Sequence, residues 1–206
     1  CDLICHGITS PWVGVEYIDH LEESLGAPIA SFTVRHKVDA WYPAYLRGEA
    51  ENGKTELMPF FDTAYGYAFS YFLRPSCYRC PYASMTRVGD LTLGDFWGLR
   101  PDELPDQQEK GISLLLVNTP HGSHIFDQLP LAKQPFPPER AIAGNPRLAS
   151  PIPLPPERTA FFAAYALEPF AQVRQKFLTL PPYLVRAASK ALTPELKAKV
   201  KKVLKR

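Results

Sequence analysis

The chain has 206 residues and a formal net charge of +2, and its 46% hydrophobic, 21% charged and 12% aromatic residues are ordinary for a soluble globular domain. No apolar run approaches the ~18 residues of a membrane-spanning helix, no repeat period is visible, and four cysteines are too few for a disulfide scaffold. Two features stand out: 22 prolines, about twice the usual share, and a first residue, Cys1, that is not methionine, so the chain reads as a piece of a longer protein.

Charge is unevenly spread. Residues 186–206 carry eight Lys or Arg against Glu195 alone, a local charge of +7, while the remainder sums to −5. No basic surface studded with aromatics and no base-reading motif appears, so nucleic acid is not expected as a partner.

In chain order, residues 2–5 read as the end of a buried strand stopped by Gly7. Ser10 and Pro11 open a helix on which Tyr17, Leu21 and Leu25 recur at helical spacing before Gly26 ends it. Residues 29–35 alternate as a strand, and 42–46 pairs with 55–58 across the Asn52-Gly53 turn signal. Asp62 is placed to cap a short helix carrying Tyr65, Ala68, Phe69 and Phe72. The segment 74–82 is an irregular loop because Pro75 and Pro81 bracket it. Short strands follow at 90–93 and 113–119, then a helix near 123–129.

Residues 130–156 hold nine prolines and read as an extended strap without regular structure. Helical composition returns at 158–177, and Thr193-Pro194-Glu195 opens a last helix with Leu196, Val200, Val203 and Leu204 on one face. Packing of that stripe on the body is the plainer reading, and contact of its lysines with an anionic membrane surface the weaker one. The expected fold is α+β: a mixed sheet with flanking helices, a proline-rich strap and a helical C-terminal tail. The expected division is a core at 1–129, the strap at 130–156, and helices at 157–206 packing on the same domain.

Cys77-Tyr78-Arg79-Cys80 is a Cys-x-x-Cys. It suits a thioredoxin-like redox pair, half a zinc site or half an iron–sulfur site. The first wants a strand-to-helix turn, and the bracketing prolines with no strong helix behind them argue against it. More thiolates must come from Cys1 and Cys5. In an extended strand these lie on one side but about 13 Å apart at ~3.3 Å per residue, too far to grip one small cluster together. Cys5, Cys77 and Cys80 are therefore the better metal set, with the fourth ligand from His6, from Cys1 by a local bend, or from upstream sequence. A small core residue is the plain alternative for Cys5. His121 and His124 have no further ligand at metal-site spacing. No Gly-x-Gly-x-x-Gly, phosphate loop or Gly-x-Ser-x-Gly is present.

Taken together, Cys-Asp-Leu-Ile-Cys-His-Gly-Ile-Thr-Ser-Pro (1–11), Phe-Thr-Val-Arg-His-Lys (32–37), Arg-Pro-Ser-Cys-Tyr-Arg-Cys-Pro-Tyr (74–82), Asp-Leu-Thr-Leu-Gly-Asp-Phe-Trp-Gly (90–98) and Lys-Gly-Ile-Ser-Leu-Leu-Leu-Val-Asn-Thr (110–119) give the sequence a resemblance to the C-terminal domain of the coenzyme F420 hydrogenase/dehydrogenase beta-subunit family. The resemblance covers roughly residues 1–125 well and the rest loosely. It implies an oxidoreductase domain of an iron–sulfur flavoprotein, acting within a longer chain or complex. A 4Fe–4S cluster on Cys5, Cys77 and Cys80 would exchange electrons with a flavin (FAD), and a cysteine just upstream would complete the ligand set. It also implies other redox subunits or an N-terminal ferredoxin-like module as partners, and a cytoplasmic location. Coenzyme F420 itself is possible by family alone, since no residue here reports it.

In that light Arg35, Lys37 and Arg74 are candidates for a flavin diphosphate or an anionic cluster. Gly94, Asp95 and Trp97 are candidates for backbone approach to a flavin. The plain alternatives are solvated strand-end cations, and a tight turn with Trp97 in the core. Two rival functions use the same residues: a structural zinc-binding or accessory module, and a family member recruited to polysaccharide biosynthesis.

Overall fold

The computed structural model describes residues 1–100, 102–103 and 109–179. The element order is β1 (Asp2–Leu3), α1 (Pro11–Leu25), β2 (Ile29–His36), β3 (Tyr45–Ala50), β4 (Thr55–Pro59), α2 (Ala64–Tyr71), β5 (Leu91–Asp95), β6 (Ser113–Val117), α3 (Pro120–Gln128), α4 (Pro138–Gly144), α5 (Arg158–Leu167) and α6 (Phe170–Phe177). The architecture is α+β, as the sequence pattern indicates, with two three-stranded sheets. Among the described residues no helix is long and apolar enough to cross a membrane.

One sheet is the antiparallel meander β2-β3-β4. Its hairpin closes at Asn52-Gly53, where Gly53 takes φ +80 and the Asn52 side chain accepts from the Lys54 N–H at 3.0 Å. The second sheet is mixed: β5 pairs parallel to β1 and antiparallel to β6. Asp2 stands opposite Thr92 and Leu3 opposite Leu93, and the ladder continues with the Ile4 N–H donating to the Leu93 carbonyl at 2.8 Å.

Helix α1 joins two cores. Val13, Tyr17, Leu21 and Leu25 recur every fourth residue and are all buried. Val13 packs with Ala68, Phe72, Phe161, Val173 and Leu178, so α5 and α6 share a core with the N-terminal helix. Tyr17 and Leu21 pack with Leu46 and Phe60 over the meander. A third core, of Phe96, Leu114, Ala141 and Leu148, covers one face of the mixed sheet. Gly26 ends α1 in the left-handed conformation at φ 76, its N–H donating to the Glu22 carbonyl, as a glycine past the last turn should. Ser10 stands at the N-cap position without a side-chain capping bond.

Two expectations need correction. The cap of α2 is Thr63, not Asp62: the chain first makes a short 3-10 turn, Phe60–Asp62, which shifts the helix start by one residue. The Thr63 hydroxyl accepts from the Gly66 N–H at 3.0 Å and donates to the Phe60 carbonyl at 2.7 Å. The proline strap, too, is more ordered than its composition suggests. It holds α4 and the 3-10 turn Pro146–Leu148, and Pro138 and Pro146 sit in first turns, where a missing N–H costs no helical bond. Ala141 and Leu148 make this segment part of the third core. The helical composition at 158–177 is expressed as two helices, α5 and α6, divided at Pro169. The expected basic tail helix from Thr193 lies outside the described residues.

Candidate functional site

The loop bearing Cys77 and Cys80 is laced to the turn that follows Cys5. Thr9 bridges Leu73, the Thr9 hydroxyl donates to the Phe72 carbonyl at 2.7 Å, and the Arg74 N–H donates to the Ile8 carbonyl at 2.9 Å. Gly7 lets the two segments close. It adopts φ +115, and a Cβ there would stand 2.6 Å from Leu73 Cδ1 and 3.3 Å from the Cys77 Sγ. Cys77 itself lies in a 3-10 turn, Pro75–Arg79, entered through Pro75.

Residues that the sequence did not single out hold this loop. The Tyr78 hydroxyl accepts from the Leu73 N–H at 2.8 Å and donates to the Tyr71 carbonyl at 3.0 Å. From α5, the Arg158 Nε donates to the Leu73 carbonyl at 2.9 Å, while its guanidinium lies 4.4 Å from the Phe162 ring centroid and 5.3 Å from that of Tyr78.

Beyond Cys80, Arg87 fastens the chain to β1. Its side chain, only 4% exposed, bonds Asp2 Oδ1 at 2.8 Å and the carbonyls of Leu3 and Tyr82 at 3.0 and 2.6 Å. Burial alone would raise the Asp2 carboxyl. Hydrogen bonds from Arg87, Thr92 and the Gly89 N–H, with the Arg87 charge, hold it instead at about 2.

All four cysteines are free: Cys1 and Cys5 exposed, Cys77 and Cys80 half-buried. Cys77 thus meets Gly7 at one rim, two residues after Cys5, with Cys80 three residues further along the Cys77 loop. Among the described residues no three His, Cys, Asp or Glu side chains converge closely enough to hold a metal ion. That is the closure a single zinc demands, whereas the thiolates of a cluster stand wider apart. In kind the donors suit a cluster, being cysteine thiols outside any disulfide. His6 stacks on Phe69 with ring centroids 5.3 Å apart, and burial followed by the Arg147 charge lowers its pKa. The backbone of Arg74 is tied at the same rim.

The other candidate residues lie elsewhere, where β2 and β5 end side by side. Arg35 pairs with Asp95 at 3.0 Å and remains 59% exposed. Lys37 is exposed two residues on. The space over Gly94 is taken by Ile4, whose Cδ1 would stand 2.7 Å from a Cβ there. Trp97 is partly exposed and meets two rings not foreseen from sequence, Trp41 at 4.7 Å and Tyr42 at 5.4 Å between centroids. With Phe96, Leu99 and Ile112 these rings line a cavity of about 400 Å³. Trp41 is set by its N–H bond to the Glu109 carbonyl at 2.9 Å and by Gly111, where a Cβ would come within 2.8 Å of the indole. The aromatic Trp-Tyr-Pro run at 41–43 was the available signal, but it reads equally as the start of a strand.

A larger cavity of about 680 Å³ lies between α1, β4 and α6, and none of the predicted site residues lines it. There Arg174 Nη1 stands 3.0 Å from His20 Nε2, and burial, then the Arg174 charge, lowers the His20 pKa.

No curated protein and no solved structure matches the chain. A family model described as the C terminus of the coenzyme F420 hydrogenase/dehydrogenase beta subunit matches residues 1–134, well over half of the sequence, and the chain belongs to that family.

Proposed function

We propose that this domain passes electrons between a 4Fe–4S cluster, held mainly by Cys5, Cys77 and Cys80, and a flavin bound beside Asp95 and Trp97. The observation that supports the reading is the lacing of the Cys77 loop onto the turn after Cys5, which sets Cys77 against Gly7, two residues beyond Cys5. When bound, the cluster supplies single electrons and the flavin their pairing for a two-electron acceptor. The protein's part is positional. Gly7, Tyr78 and Arg158 set the Cys77 loop, and Arg87 sets the chain beyond Cys80. Arg74 places positive charge beside an anionic cluster, and Arg35 and Lys37 offer it to a phosphate. The fourth ligand comes from a cysteine just upstream, from Cys1 or from His6, and the exchange partner is another redox subunit or a ferredoxin-like module. Coenzyme F420 is one candidate acceptor, suggested by the family description.

The test is anaerobic purification of the full-length protein with analysis of iron, acid-labile sulfide, zinc and flavin. Iron with sulfide is expected, lost in Cys77→Ser. Protein that stays colourless and iron-free after reconstitution, or that holds stoichiometric zinc instead, overturns the reading.

A further inference from the structure

The segments 35–42 and 95–98 meet twice. At one end Arg35 of β2 pairs with Asp95 of β5, and at the other Trp41 and Tyr42 meet Trp97. Asp95 and Trp97 are two residues apart, no more than ~7 Å along the chain. An exposed guanidinium and an aromatic cavity therefore sit at the two ends of one short stripe, where two different sheets stop.

The lining of the cavity restricts what fits. Besides Trp41, Tyr42 and Trp97 its described lining is Phe96, Leu99, Ile112 and Gly98, with no charged or amide side chain among these described residues. Among the described lining residues a sugar would leave most of its hydroxyls without side-chain partners, and an organic cation would find aromatic faces but no counter-charge. A flat conjugated ring suits the wall, because it exchanges water for stacking and apolar contact. At the far end a phosphate would share the Arg35 guanidinium, now paired with Asp95, and meet the exposed Lys37 two residues on.

We infer that the pocket of Trp41, Tyr42 and Trp97 seats the tricyclic ring of a flavin-type nucleotide, with the ribityl phosphate turned toward Arg35 and Lys37. This rests on the flavin half of the proposed function and deepens it. It names Trp41 and Tyr42 as ring-binding residues and gives the site a direction, ring at the Trp97 end and phosphate at the Asp95 end. A deazaflavin presents the same ring and phosphate chemistry.

The experiment uses full-length protein stripped of flavin and titrated separately with riboflavin, FMN and 5-deazariboflavin, followed by ring and tryptophan fluorescence. Trp97→Ala and Trp41→Ala are expected to weaken riboflavin and FMN alike by about tenfold, the scale of losing one stacking partner. Arg35→Gln is expected to weaken FMN about fivefold and leave riboflavin unchanged, since only FMN carries the phosphate. Preference for 5-deazariboflavin over riboflavin would support the pocket and identify the deazaflavin as its source, and the reverse preference would identify the flavin. Wild-type protein that binds none of the three overturns the flavin half of the proposed function, and this inference with it. Wild-type binding that both Ala variants retain at full strength overturns the inference alone. Should the Ala variants fail to fold, Trp97→Phe decides. Ring binding quenches wild-type tryptophan emission, and a quench that does not shrink in Trp97→Phe places the ring elsewhere.

Discussion

The meander β2-β3-β4 is drawn from the single stretch 29–59, whereas the mixed sheet collects strands that begin at Asp2, Leu91 and Ser113. The meander closes on a two-residue turn and rests on a continuous aromatic and aliphatic core around Leu46. To complete the mixed sheet, β1 must find β5 about 90 residues on, Asp2 opposite Thr92, a closure that costs entropy without local reward, whereas β5 and β6 pair across a much shorter connection. Its compensation at β1 is largely polar, with Asp2 and Arg87 bonding across the strand end. Of the predicted site residues, only Arg35 sits on a meander strand, at its end, with Lys37 just beyond. Cys5 follows β1, and Gly94, Asp95 and Trp97 lie at or just past the end of β5. The region assembled from distant chain carries the candidate chemistry, and the locally assembled one supplies stability.

The comparison breaks if the two regions respond alike to damage. Leu46→Ala, at a fully buried position in β3, is expected to lower stability by about 4 kcal/mol, read as a fall in urea midpoint. The reactivity of the cysteine thiols below the transition should stay unchanged. Arg87→Ala is expected to cost about 3 kcal/mol, because it leaves the largely buried Asp2 carboxylate without its counter-charge. In protein free of any cluster, this variant should also expose the thiols of Cys77 and Cys80 to a disulfide reagent in native buffer. Equal thiol reactivity in the two variants would remove the distinction between the regions.

Acid sharpens the same contrast. The Asp2 pKa is depressed from 3.8 to about 2 in the fold. Its contribution is therefore complete above pH ~4, where the unfolded carboxyl is ionised, and fades as pH falls toward its folded value. Urea midpoints measured from pH 5 downward should decline through that window. The decline should be shallower in Asp2→Asn, which has no such proton to take up. A slope identical in the two proteins would mean that the Asp2 and Arg87 pair is not the acid-sensitive element.

Legibility in the sequence follows the same division. The four-residue spacing of Tyr17, Leu21 and Leu25 with Gly26 behind them marks α1, and Asn52-Gly53 marks the hairpin, because both signals are local. The parallel partnership of β1 with β5 leaves no local signal, since nothing in Asp2 or Thr92 names its partner. Arg87 is likewise an unremarkable arginine until Asp2 is placed beside it. The nine prolines misled through composition: tolerance depends on position in a turn, and Pro138 and Pro146 occupy the tolerant positions. Cys77-Tyr78-Arg79-Cys80 was legible as a thiol pair, whereas the support from Tyr78 and Arg158 requires the helix α5 from the far end of the chain. Trp97 was legible as a candidate, but its neighbours Trp41 and Tyr42 come from a loop of the other sheet.

Tyr78 gives the smallest and most local test. Its hydroxyl joins the Leu73 N–H to the Tyr71 carbonyl, and its ring lies beneath Arg158. Tyr78→Phe keeps the ring and the cation contact and removes only the hydroxyl. The Leu73 N–H then loses its acceptor, a cost of about 1 kcal/mol for one part-buried group. The urea midpoint should therefore move only slightly, while the loop that begins at Leu73 loses the bond fixing its entry. Thiol reactivity of Cys77 and Cys80 should rise severalfold, as in Arg87→Ala, but without that variant's loss of global stability. If reactivity stays at the wild-type rate, the loop is held by the bridge of Thr9 with Leu73 and by the close approach at Gly7. Tyr78 would then serve packing alone.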